Sequence, residues 1–137
     1  MRLSSLASAR AAAAVIAVVM AFQLALVLGA PWGDFTQGGA YSGTLPAVGR
    51  VVAGISFLLL GLMAVSLLAR AGEGPLRSAP RVMVAILGWL AVVYLALAIV
   101  VNLATPSMGE RLIWAPVSAV AFVLALLTML RTRAVHA

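Results

Sequence analysis

Four apolar runs dominate the chain, at residues 11–30, 51–69, 82–103 and 112–130, each at least nineteen residues long. A helix over each run is roughly 28–33 Å long at about 1.5 Å per residue, enough to cross a hydrocarbon core of about 30 Å. Polar interruptions are few: Gln23 in the first run, Ser56 and Ser66 in the second, Ser118 and Thr128 in the fourth. A backbone in lipid must satisfy its own hydrogen bonds, and these runs lack the two-residue alternation of outer-membrane strands. The expected fold is therefore all-α, a transmembrane four-helix bundle forming a single integral domain over residues 1–137.

Composition supports this reading. Hydrophobic residues make up 65% of the chain and charged residues 9%, whereas soluble domains carry about a quarter charged residues. So few charges cannot clothe a water-facing surface. The absence of cysteine excludes disulfide frameworks and thiolate chemistry. The single histidine, His136, rules out a multi-histidine metal or haem site. No cofactor or metal is expected. Arg2 and Arg10 before the first run resemble a secretory signal, but the run exceeds the usual signal core of about 7–15 residues. Leu28 and Pro31 also fit a cleavage site poorly. An uncleaved helix is the expectation.

Arginine placement predicts direction. Arg2, Arg10, Arg70, Arg77, Arg81, Arg131 and Arg133 fall on one side of the spans, and Arg50 and Arg111 on the other. The positive-inside rule puts both termini and the middle loop in the cytoplasm of a bacterial inner (plasma) membrane. The net charge of +6 then reads as a topogenic signal with some attraction to anionic lipid headgroups. Scattered arginines do not make a nucleic-acid patch.

Within the first run, Ala13, Ala17, Ala21, Ala25 and Gly29 recur every fourth residue. Such a smooth stripe predicts close helix packing, against another protein or against Gly54 and Gly61 of the second run. Pro116 reads as part of the first turn of the fourth helix, where a missing N–H costs little. The middle turn, residues 70–81, needs no role beyond topology.

The outer side carries the least ordinary sequence. Residues 31–50 combine glycines and prolines with Trp32, Phe35 and Tyr41, so the loop is expected to fold onto the helix ends at headgroup level. Asp34, Arg50, Glu110 and Arg111 are the charges of this face, and they suffice for two neutralising pairs that tie loop to helix. GAPWGDFTQGG, GTLP and a following arginine after the first run, with NLATPSMGERLIWAP before the last, resemble segments of a family of small four-helix bacterial integral membrane proteins with no assigned activity. The resemblance covers the whole chain and implies the same topology. It brings no catalytic residue and no substrate.

None of the four runs contains an ionisable residue of the kind that marks proton-coupled carriers. No nucleotide-binding glycine motif occurs, and a Ser/His/Asp triad cannot assemble across the bilayer. An enzyme is not expected; a site using Asp34 and Glu110 would be the least favoured reading. Depth counting finds one further pattern. Gln23 and Tyr94 sit about 18 Å above the inner ends of their runs, and Ser56 and Ser118 fall at a similar level. Each helix thus contributes one polar group to an outer layer, serving as interhelical glue or lining a small pocket. The expected function is a non-enzymatic accessory subunit or self-associating membrane component, with membrane lipids and another copy or partner membrane protein as neighbours. The alternative is a channel or carrier for a small neutral or lipid-like solute.

Overall fold

The computed structural model describes residues 2–133, and His136 lies outside them. Four long helices follow one another: α1 Arg2–Val27, α2 Ala47–Arg70, α3 Arg81–Ala104 and α4 Met108–Arg133. Two short 3-10 turns, Gly33–Phe35 and Gln37–Gly39, lie between α1 and α2. All four helices are long and apolar enough to cross a membrane. They run alternately up and down in a ring, with α1 against α2 and α4, and α3 against α2 and α4.

Each helix exceeds its apolar run at one or both ends, because hydrogen bonding continues beyond the segment that must match lipid. Three expectations change as a result. Pro116 is not in the first turn; it lies inside α4, which starts at Met108. Glu110, counted outside the apolar runs, belongs to α4. The first helix ends at Val27 instead of Ala30. Gly29 adopts φ +100°, and the bonds Gly29 N–H to Leu26 O (3.1 Å) and Ala30 N–H to Ala25 O (2.9 Å) close the helix. That is a Schellman cap, which needs a left-handed residue. Gly29 is thus a terminator, not a member of a packing stripe.

The remaining stripe does not face the bundle. Ala17 and Ala21 are exposed, and Ala13 and Ala25 are only half-buried. Steps of four residues overshoot a 3.6-residue turn by about 40°, so the three steps from Ala13 to Ala25 wind through about 120° of the helix surface. The buried face of α1 instead carries Ala9, Ala12, Ile16 and Leu26. Ala12 and Ile16 meet Leu60, Ala64 and Leu67 of α2, Val92 and Leu95 of α3, and Ala121, Ala125 and Met129 of α4 in the main core.

The expected glycines of α2 do receive α1. A Cβ on Gly61 would lie 3.2 Å from Met20 Cε, and one on Gly54 3.7 Å from Val27 Cγ2. Seven-residue steps drift by only about 20°, so two matched pairs stay in line. Gly88 of α3 plays the same part for α4, since a Cβ there would be 2.5 Å from Met129 Sδ. Large apolar side chains such as Leu58, Val82 and Leu97 point outward, as a lipid-facing surface requires.

Candidate functional site

Gln23, Ser56, Tyr94 and Ser118, one polar residue from each helix, line a single cavity of about 400 Å³ between the helices. Its walls are otherwise mostly apolar, including Leu60, Leu95 and Ala121. Asn102 and Glu110 add polar groups at its loop end. The polar layer is therefore not simply glue. Ser56 donates to the carbonyl of Val52 in its own helix, at 3.0 Å. Among the interhelical bonds of the layer, Asn102 Nδ2 donates to Ser118 Oγ at 3.2 Å. Gln23 and Tyr94 project into the cavity wall without bridging to another helix among the described residues.

The loop between α1 and α2 folds onto the helix ends, as its glycines and aromatics predicted, and contributes Thr36 to the cavity wall. Phe22 stacks on Trp32 with ring centroids 5.8 Å apart and meets Trp114 at 4.5 Å. The Trp114 indole donates to Phe35 O at 2.8 Å. Gln37 takes φ +51°, a left-handed conformation that a non-glycine residue seldom adopts. Its side-chain amide donates to Gly49 O at 2.8 Å and pins that turn to α2.

Glu110 joins loop, helix and cavity. It is 9% exposed. Its Oε2 accepts the Gly38 N–H at 2.9 Å and the Thr105 hydroxyl at 2.8 Å, while Ser107 Oγ accepts the Glu110 N–H at 3.1 Å. Ser107-x-x-Glu110 is thus a variant of the capping box in which the carboxylate reaches the loop and Thr105. The spacing S-x-x-E before an apolar run was visible in the sequence and signals this helix start.

The two ion pairs expected among Asp34, Arg50, Glu110 and Arg111 do not form. Arg50 Nε donates to Val27 O at 2.9 Å, and Arg111 Nη2 donates to Thr105 O. Each arginine is the fourth residue of its helix and reaches back to the end of the helix before it. The carbonyls there carry the negative end of the helix dipole, so the cations have partners without any acid. Asp34 accepts the Ser42 hydroxyl at 3.1 Å, and its backbone carbonyl accepts Ser107 Oγ at 2.6 Å. Of the expected site residues, Glu110, Gln23, Tyr94, Ser56 and Ser118 meet at the cavity, whereas Asp34, Arg50 and Arg111 do not line it.

The chain matches no family model, no curated protein and no solved structure.

The cavity also has a lateral side. Tyr94 and Leu97 line both the cavity and an apolar groove between α2 and α3, where Leu59, Leu62 and Leu90 face outward. No group of three or more histidine, cysteine or acidic side chains able to hold a metal occurs among the described residues. Chemically, the site offers two amides, hydroxyls and one carboxylate within an apolar chamber. That combination suits reversible binding of a molecule with a few polar atoms on a lipophilic body.

Proposed function

We propose that this chain is a non-enzymatic, multi-pass protein of the bacterial inner membrane, with cytoplasmic termini, that binds a small neutral or lipid-like molecule between its four helices. The observation that carries the reading is the meeting of Gln23, Ser56, Tyr94 and Ser118 on one chamber whose Tyr94–Leu97 wall continues into a lipid-side groove. A ligand dissolved in the bilayer reaches such a chamber from the side, without crossing the loop cap. The arginine distribution supports the orientation.

The test is extraction and mass spectrometry of the protein purified in mild detergent, beside an Ala98→Trp variant that fills the chamber. A small compound present with the natural chain and absent from an equally stable variant supports the reading. Identical extracts sink it.

Association with another membrane protein is a second reading. It is supported by Ala17 and Ala21, which present small side chains on the outward face of α1, where helices can approach closely. Cross-linking through cysteines placed at these two positions would trap that neighbour; absence of any adduct in whole membranes counts against it.

A further inference from the structure

At the opposite end of the bundle a second cavity of about 400 Å³ is lined by Arg70, Arg77 and Arg81, with the side chains of Ser5 and Thr132 beside them. These residues come from α1, α2, the middle turn, α3 and α4, so only the fold assembles them. Arg70 Nη2 donates to Thr132 Oγ1 at 3.1 Å. The Arg77 and Arg81 guanidiniums donate no hydrogen bond to any described residue. Among the described residues no acid lines the cavity. The acid of this turn, Glu73, is turned away onto Arg10, whose Nε donates to Glu73 Oε2 at 3.0 Å. Arg77 and Arg81 thus bring two guanidiniums without a side-chain hydrogen bond to any described residue into one concave, hydroxyl-bearing space beside Arg70.

Topology alone does not require this. The positive-inside bias is met by arginines anywhere near the span ends. It does not ask that three of them line one cavity, or that the nearby carboxylate be engaged elsewhere. Guanidinium donors match the oxygens of a phosphate, and hydroxyls add neutral donors.

A neighbouring feature identifies what carries the phosphate. Arg70 also heads an apolar groove along α3, formed by Val82, Ile86, Trp89, Leu90 and Val93. The Arg70 stem lies against α3, with Cγ 3.4 Å from the position of a Cβ on Gly88. From Val82 to Val93 the groove runs about 16 Å, close to the depth of one leaflet, which is about half of a 30 Å core. A polar, cationic cavity that opens onto an apolar channel of leaflet length has the shape of a lipid with its headgroup. A zwitterionic headgroup would bring an ammonium for which the described residues of the cavity offer no carboxylate.

We propose that this end of the bundle holds one anionic glycerophospholipid, its phosphate among Arg70, Arg77 and Arg81 and an acyl chain along Val82–Val93 of α3. Basic pockets between spanning helices are suited to such headgroups. The site is separate from the chamber of the proposed function and stands independently of it.

The experiment uses the full chain in neutral detergent. Native mass spectrometry reads retention of added phosphatidylglycerol and phosphatidylcholine, and thermal shift reads the effect of inorganic phosphate. Phosphatidylglycerol should be retained over phosphatidylcholine by roughly tenfold, and the double change Arg77→Gln with Arg81→Gln should abolish that preference. Arg131→Gln, which removes a charge from the same end outside the cavity, should keep it. Ala85→Trp, which obstructs the groove, should lower lipid retention, and circular dichroism confirms that each variant is folded. Equal retention of both lipids overturns the proposal. So does an equal loss with Arg131→Gln, which would mean diffuse surface charge. Stabilisation by inorganic phosphate as strong as that by phosphatidylglycerol would make it a soluble-anion site and overturn the lipid assignment.

Discussion

Arg50 Nε lies 2.9 Å from the carbonyl oxygen of Val27 and donates to it, so the first turn of α2 closes the last turn of α1. Arg111 repeats the device between α4 and the end of α3 at Thr105. Two helical hairpins are thus fastened at the same end by the same residue at the same helical position.

Removing either fastener should be costly. A hydrogen bond from a charged donor contributes about 1.5–3 kcal/mol. Arg50→Ala and Arg111→Ala are expected to lower the midpoint of thermal unfolding in lipid-free detergent, while Arg77→Ala, in the exposed middle turn, leaves it nearly unchanged. Adding Asp34→Asn should not rescue Arg50→Ala, because the two side chains are not paired. Rescue would restore the ion-pair view.

Packing predicts the opposite of what the alanine stripe implied. Ala17→Leu with Ala21→Leu should leave the isolated bundle as stable as before, since both positions are exposed. Gly88→Ala and Gly61→Leu should destabilise it by about 1–3 kcal/mol, the usual range for overpacking, because Met129 and Met20 occupy the space. Thermal unfolding of the three variants side by side decides the matter.

Glu110→Ala should free the loop. It leaves the half-buried Gly38 N–H and the buried Thr105 hydroxyl without their acceptor, a loss of about 1–3 kcal/mol for the buried hydroxyl. Cleavage within residues 31–46 by an added protease should become faster, with little change in cleavage of the middle turn. Unchanged loop protection would show that the aromatic contacts hold it unaided.

The Arg10 guanidinium, through its hydrogen bond, holds the Glu73 carboxyl below its ordinary range. A carboxyl with a depressed folded value stabilises above the unfolded value of 4.5 and loses that contribution as pH falls through the lower folded value. Acidification from neutral pH to below that range should therefore narrow the stability difference between the natural chain and Glu73→Gln. The pair is exposed, so the difference should be small and should shrink with added salt. A gap that stays constant across the titration would contradict this.

Four spans were legible because hydrophobic length is a local property: nineteen or more apolar residues declare a membrane helix whatever lies beside them. The descent of the loop between α1 and α2 onto the helix ends was legible from Trp32, Phe35 and its glycines for the same reason. The level of Gln23, Ser56, Tyr94 and Ser118 was legible because rise per residue is fixed. Azimuth was not. A four-residue repeat drifts around a 3.6-residue helix, so the face of α1 that turns inward depended on what α2 and α4 presented to it, with Met20 and Val27 finding Gly61 and Gly54. Partner choice was not legible either. Asp34 and Arg50 carry opposite charges on the same side of the chain, yet the helix ends offered Arg50 a nearer acceptor and the loop offered Asp34 a nearer donor. The sequence by itself determined depth and the distribution of charge, while tertiary structure alone decided which side chains face one another, because that depends on rotations and contacts between residues far apart in the chain, 120 positions for Thr128 and Ser8.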